Sequence, residues 1–129
     1  MPVDHRSIQP EPPCIHPYGG LWSAGDPLLA YAARTGTRRN LDALRHARWR
    51  ILVSAVGALR PEGFPYALDN GAWSAYQQGT PFNARAFTVA LRKLGARADW
   101  TTLPDVVAGG HASLDLSLRW MRTVLDESP

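Results

Sequence analysis

Two aspartates, each placed after a short predicted strand and ahead of glycine, are the residues of this chain best suited to chemistry. The run 66–68 ends in Asp69, and the run 100–103 ends just before Asp105, which the pair Gly109-Gly110 follows. Glycine lets another group approach the backbone closely, and α/β proteins keep their chemistry at the carboxyl ends of strands. The pattern therefore predicts two carboxylates aimed at one pocket.

Two carboxylates at neighbouring strand ends suit a reaction in which one group holds the polar edge of a base while the other moves a proton. A plainer interpretation is also open. In it, Asp69 forms a hydrogen-bonded turn with Gly71, and Asp105 caps a helix or turn after Pro104. Spacing alone allows both interpretations.

The elements that would position these aspartates follow the pattern of an α/β domain. Short apolar runs bounded by glycine or proline predict strands, and apolar residues at helical spacing predict helices. The first three elements form a β-α-β unit, which predicts a mostly parallel sheet. The predicted strands cover residues 28–32, 51–54, 66–68 and 100–103, and the predicted helices cover residues 37–48, 72–78, 84–94 and 112–125.

The last predicted helix carries four large apolar residues on one stripe. They recur at helical spacing, as Leu114, Leu118, Met121 and Leu125. A stripe of this kind is typical of a helix face that packs on a core. We therefore expect these four side chains to be buried.

Length and composition limit the possible classes of protein. The chain has 129 residues, of which 45% are hydrophobic and 19% charged. This is a globular composition, sufficient for one domain and about half the length of a closed (β/α)8 barrel. No apolar run is long enough to span a bilayer, and the N-terminus lacks a signal-peptide pattern. We expect a cytoplasmic protein that makes no contact with membranes.

The first 27 residues differ in composition from the rest of the chain. They hold six prolines, which predicts an extended or partly disordered leader, with residues 28–129 as a single α/β domain. Cys14 is the only cysteine, so a cysteine-rich zinc site is excluded. The four histidines lack metal-ligand spacing, and we expect neither a metal nor a cofactor.

Positive charge is concentrated in one part of the sequence. Residues 34–60 contain seven arginines and one acidic residue, although the net charge of the chain is only +3. Arginine suits bidentate contacts with phosphate, so this segment predicts binding to a nucleic-acid backbone. A solvated helix face and a GC-rich codon bias are alternative explanations. The residues predicted to hold phosphates are Arg34, Arg38, Arg39 and Arg45.

The two aspartate motifs resemble those of the tRNA-guanine transglycosylase superfamily, in particular its phage and bacterial deazapurine-DNA modification relatives. The stretch 68–73 is similar to that family's Asp-Ser-Gly-Gly-Phe motif, and the stretch 103–110 resembles its base-binding loop. The resemblance implies the first half of a (β/α)8 TIM barrel, with Asp69 at the reaction centre and Asp105 hydrogen-bonded to the incoming base. It implies these substrate-binding residues: Asp105, Asn70, Gly71, Trp73, Tyr66, Gly109 and Gly110.

The sequence also departs from that family. Asn70 and Ala72 stand where the motif has serine and glycine. The tRNA enzymes carry their nucleophilic aspartate on a later strand, followed by a Cys/His zinc site. The matching region, residues 28–123, includes neither of these features.

The resemblance implies exchange of guanine for a 7-deazaguanine in nucleic acid, by this chain or by an enzyme of which it forms the N-terminal half. One alternative is a non-catalytic nucleic-acid-binding accessory or remnant, and another is an N-glycosidase or nucleoside-processing enzyme. The expected partners are DNA or tRNA and a purine or 7-deazapurine base. Because a four-stranded half-barrel leaves two sheet edges open, we also expect a homo-oligomer or a partner chain that supplies the missing half.

Overall fold

The computed structural model describes residues 29–127, and the predicted leader lies outside this range. The elements follow the order predicted from the sequence, except that residues 100–103 do not form the predicted fourth strand. They are β1 Tyr31–Ala33, α1 Arg38–His46, β2 Arg50–Ser54, β3 Tyr66–Asp69, α2 Ala72–Gln77, α3 Ala84–Leu94, a 3-10 turn Gly95–Arg97, and α4 Gly110–Glu127.

The sheet is parallel, and its strand order is the order of the sequence. β1 pairs with β2, and β2 pairs with β3, with Ser54 level with Asp69 at their carboxyl ends. The β1-α1-β2 unit confirms the predicted crossover into a parallel pair. The α/β class is therefore confirmed, on a sheet of three strands.

The predicted fourth strand is reduced to one bridge. Thr101 pairs in parallel with Leu68, and no longer ladder forms along residues 100–103. Backbone bonds place this segment beside β3: Leu68 N–H donates to the Trp100 carbonyl at 3.0 Å, and Thr102 N–H donates to the Leu68 carbonyl at 2.9 Å. The segment then bends toward Pro104, which ends the pairing because proline has no N–H to donate.

The core lies on both faces of β3. Tyr66, Ala67 and Leu68 are all buried, whereas β2 alternates and buries Ile51 and Val53. A central parallel strand covered on both faces reads as a continuous apolar run, and an alternating strand has one open face. The end of β3, and therefore Asp69, is held on a fully packed strand.

Helix α3 forms as its sequence predicts. The Asn83 side chain accepts a hydrogen bond from Ala86 N–H at 2.9 Å and so caps the helix. The apolar positions of its inner face, Phe87, Ala90, Leu91 and Leu94, are buried.

Helix α4 contradicts the prediction that its apolar stripe is core. The four stripe residues are between 45% and 67% exposed. The face that packs on the core includes Val124, at 8% exposure, and the partly buried Trp120, whose ring meets Phe87 edge to face at 5.7 Å between centroids. The apolar periodicity correctly identified an apolar face on α4, but a different face of this helix packs on the core.

Candidate functional site

Asp69 ends β3 and begins a tight turn into α2. Its Oδ2 accepts a hydrogen bond from Gly71 N–H at 2.9 Å, and the Asn70 Oδ1 accepts one from Ala72 N–H at 2.7 Å. Both are side-chain turns of the kind that Asp and Asn favour. The plainer interpretation of Asp69, a turn with Gly71, is therefore present in the structure, and it uses one of the two carboxylate oxygens.

Gly71 is required at this turn for two reasons. Its φ is +79°, a left-handed conformation that costs other residues energy, and it directly precedes α2. A Cβ added there would also lie 2.9 Å from Val56 Cγ1. The turn is therefore packed tightly against the segment that follows β2.

Asn70 connects the two aspartate motifs. It is 4% exposed, and its Nδ2 donates to the Leu103 carbonyl at 2.6 Å and to Asp105 Oδ1 at 2.7 Å. Its backbone N–H donates to Thr102 Oγ1 at 2.8 Å. A buried amide whose donors are all paired fixes its neighbours firmly. Asn70 therefore ties the two motifs together at the carboxyl end of the sheet.

Helix α4 holds the Asp105 loop from its other side. Ser117 Oγ donates to the Pro104 carbonyl at 2.8 Å, and Val106 N–H donates to Ser113 Oγ at 3.0 Å. The two serines lie one helical turn apart, so they present hydroxyls to consecutive parts of the loop. The sequence signal for this contact is a pair of serines one helical turn apart on α4, which the sequence-based prediction missed.

The predicted glycines of the second motif shape the turn into α4. Gly109 N–H donates to the Val106 carbonyl at 2.9 Å, and a Cβ on Gly109 would lie 2.8 Å from that oxygen. Gly110 has a φ of +54° and open space where its Cβ would be. Gly109 is thus needed for the turn itself, whereas Gly110 leaves room beside the loop.

The turn and Asn70 each occupy one oxygen of a carboxylate. Both aspartates are half-buried. Within residues 29–127, Asp69 Oδ1 and Asp105 Oδ2 have no hydrogen-bond partner, while the other oxygen of each is held by the turn or by Asn70. Two oriented carboxylates with free acceptor capacity can accept hydrogen bonds from a ligand or take a proton from it.

Trp73 and Tyr66 occupy very different environments. Trp73 is 57% exposed on α2 and stacks on Tyr76, which is equally exposed, at 5.5 Å between ring centroids. Tyr66 is 6% exposed at the opposite end of β3, and its hydroxyl donates to the Leu94 carbonyl at 2.6 Å. Trp73 therefore lies on the exposed side of α2 against Tyr76, and Tyr66 lies in the core, about 10 Å along the strand from Asp69. Tyr76 is an aromatic neighbour that the sequence reading missed.

The predicted phosphate-binding arginines fall into two groups. Arg34 donates to Glu62 at 2.6 Å and to the Arg60 carbonyl at 2.9 Å, and its side chain is 17% exposed. Arg45 donates to the Glu62 carbonyl at 2.6 Å and lies over the Phe64 ring at 4.7 Å. These two arginines tie the loop before β3 to β1 and α1, which is a structural role.

Arg38 and Arg39 are exposed in the first turn of α1. Because α1 begins soon after β1 ends, they lie at the carboxyl end of the sheet, as the aspartates do. The first turn of α1 contains no acidic residue, and the helix dipole adds positive potential there. Within residues 29–127 neither Arg38 nor Arg39 has an ion-pair partner, so in this part of the chain their charge can face an anionic ligand.

A cleft of about 730 Å³ lies between the segment after β2, helix α2 and the start of α3, and neither Asp69 nor Asp105 lines it. Ser54 lines it and is the register partner of Asp69, and Ser74 and Gln78 from α2 and Asn83 before α3 line it as well. This volume falls within the range of small-molecule sites.

Within residues 29–127 no group of three or more His, Cys, Asp or Glu side chains is arranged to hold a metal ion. In the same range, no helix is both long and apolar enough to cross a membrane.

Comparisons of the chain with protein-family models, with curated proteins and with solved structures find no match. The resemblance to the transglycosylases therefore rests on the two aspartate motifs alone.

Proposed function

We propose that the chain handles a guanine-like base in nucleic acid and exchanges it for a 7-deazaguanine, alone or as the N-terminal half of such a transglycosylase. One observation carries this proposal: Asn70 ties the Asp69 turn to the Asp105 loop, so two half-buried carboxylates share the carboxyl end of a parallel sheet. An exposed aromatic residue, Trp73, directly follows the turn.

The same proposal includes a fold, the first part of a (β/α)8 barrel. Its support is the strand order, because β1, β2, β3 and the 100–103 segment lie side by side in sequence order and all parallel. A doubly wound sheet reverses its order at a switch point, whereas a barrel does not. The link from β2 to β3 departs from a regular barrel, because residues 55–65 contain no helix.

Asp105 is the residue suited to recognising the base. The Watson–Crick edge of guanine presents N–H donors, and a carboxylate can accept two of them. Asn70 occupies one oxygen of Asp105 and so fixes the orientation in which the carboxylate is presented. Trp73 offers a ring face on which a base can stack.

Asp69 is placed at the reaction centre in this proposal. In the exchange, the bond from C1′ of the sugar to the outgoing guanine breaks and a bond from C1′ to the incoming base forms. The outgoing base gains a proton and the incoming base loses one, so no water is consumed. Asp69 Oδ1, the oxygen that the turn with Gly71 does not use, is suited to moving that proton.

The test is an exchange assay on the purified full-length chain, with labelled guanine or a 7-deazaguanine and with DNA and tRNA offered separately. We expect incorporation by the wild type and its loss in Asp69→Asn. Asp42→Asn removes an exposed carboxylate from α1 and serves as the matched control. No incorporation by a folded wild-type protein would refute the exchange. Release of free base without incorporation would identify an N-glycosidase instead.

A second candidate, a non-catalytic nucleic-acid-binding accessory, is favoured by the exposed pair Arg38 and Arg39 at the carboxyl end of the sheet. Contacts with phosphates make affinity fall steeply as salt rises. Arg38→Ala with Arg39→Ala should weaken binding to DNA or RNA and flatten that salt dependence. Lys93→Ala with Arg97→Ala, which removes two exposed positive charges at the C-terminal end of α3 and just after it, is the matched control. If the affinity for DNA or RNA does not depend on salt, or is equal in the two double variants, Arg38 and Arg39 form only a solvated helix face.

A further inference from the structure

Four large apolar side chains of α4 face outward. Leu114 is 55% exposed, Leu118 52%, Met121 45% and Leu125 67%. We call these four residues the α4 stripe. Scattered exposed leucines are ordinary, but a stripe at core spacing predicts a surface that another element covers.

The α4 stripe adjoins an open sheet edge. The Leu68 backbone uses both its N–H and its carbonyl to bind the 100–103 segment. Thr101 lies in the middle of that segment, and within residues 29–127 its own N–H and carbonyl have no hydrogen-bond partner. An edge of this kind is a template for one more strand.

An apolar cleft joins the stripe to the edge. It has a volume of about 980 Å³ and is lined by Trp100, Thr101 and Leu103 on the sheet side and by Met121 and Leu125 on the α4 side. The edge and the stripe are therefore one continuous surface, which a partner with both a strand edge and an apolar helix would fit.

The size of this surface fits an interface between two chains. Trp100, at 43% exposure, adds a fifth large apolar side chain to the four of the α4 stripe, and contiguous apolar patches of more than a few hundred Å² are uncommon on monomers. A stable interface buries about 800 Å² on each partner, of which more than half is apolar. Asp115, Arg119, Arg122 and Asp126 lie beside the stripe with two charges of each sign, so two copies can approach without net repulsion.

We propose that this surface binds a second copy of the chain about a twofold axis, independently of any activity of the aspartate site. The stripe has spacings of four, three and four residues, which read the same in both directions. An antiparallel copy of α4 therefore presents matching side chains, with Leu118 of one copy against Met121 of the other. Because the apolar cleft joins the stripe to the Thr101 edge, a symmetric interface built on the stripe also covers that edge.

The first test is sedimentation equilibrium of the full chain between 1 and 100 µM. We expect a dimer for the wild type, and at least a tenfold weaker dimer for Leu118→Lys and for Met121→Glu. Val89→Lys introduces the same charge at a side chain on α3 that is 49% exposed, and it should leave the dimer unchanged. Circular dichroism confirms that each variant is folded, which is expected because all three positions are exposed.

The second test addresses the antiparallel arrangement. A mixture of Leu118→Lys and Met121→Glu chains should form a heterodimer. In it, the lysine at position 118 of one chain faces the glutamate at position 121 of the other. A monomeric wild type at 100 µM would overturn the proposal and leave the surface to a different chain. A dimer that tolerates both stripe variants, or two variants that do not complement each other, would overturn it as well.

Discussion

Replacing Asn70 with alanine should destabilise the protein more than any other single asparagine substitution in the described range. The change removes three side-chain hydrogen bonds, to Leu103, Asp105 and Ala72, at a position that is 4% exposed. A neutral buried bond contributes about 1 kcal/mol and a bond to a carboxylate about 2 kcal/mol, which together give a loss of roughly 4 kcal/mol. This is a large part of the roughly 5–15 kcal/mol that stabilises a typical domain.

Urea denaturation of the unliganded protein measures this loss. With a slope near 1.5 kcal/mol per M, the midpoint should fall by between about 2 and 3 M. Asn83→Ala is the matched control, because Asn83 makes a single exposed cap bond and its loss costs about 1 kcal/mol. If Asn70→Ala shifts the midpoint no further than Asn83→Ala, then Asn70 does not hold the two motifs together and the site as described is wrong.

Two further substitutions test the turn and the sheet. Gly71→Ala should lower the free energy of unfolding by about 2–4 kcal/mol. The new Cβ would lie too close to Val56, and alanine would have to adopt a left-handed backbone conformation. Adding Val56→Ala to the same chain should recover the part of this loss that comes from the clash with Val56, as measured by urea denaturation. The explanation would be contradicted if Gly71→Ala caused no loss, or if Val56→Ala left the loss unchanged. Burial, and next a hydrogen bond to Asp99, raise the pKa of Tyr31 above its usual value of 10.0. The folded state therefore favours the neutral phenol, and this contribution to stability is present below pH 10 and is lost as pH rises through the folded pKa. Tyr31→Phe should accordingly lose less free energy of unfolding than the wild type between pH 9 and 11. An equal loss in both proteins would contradict this.

Local signals predicted much of the fold correctly. The Asn83 cap, the apolar periodicity that follows it and the end at Gly95 all act within a few residues, and α3 formed accordingly. The Asn-Gly turn after Asp69 is likewise decided locally, because Gly71 supplies a backbone conformation that other residues avoid. These features need no knowledge of distant contacts.

Features that depend on distant neighbours were not predictable in the same way. Residues 100–103 are apolar enough for a strand, but pairing depends on the edge of β3, and only Thr101 forms a bridge. The periodicity of α4 identifies an apolar face without saying which element covers it, so the stripe was assigned to the core. Asn70 was predicted to touch substrate, and its buried bonds to the Asp105 loop could only be seen once the two motifs were brought together.

If the two aspartate motifs tied by Asn70 form a site for a guanine-like base, the folded chain should bind that base whether or not it completes an exchange. Calorimetric titration of the full chain with guanine or a 7-deazaguanine base tests this most directly. Saturable binding that Asp105→Asn weakens at least tenfold, and that Asp42→Asn leaves unchanged, is the predicted result. Absence of binding by the folded wild type, or equal binding by both variants, would contradict the claim.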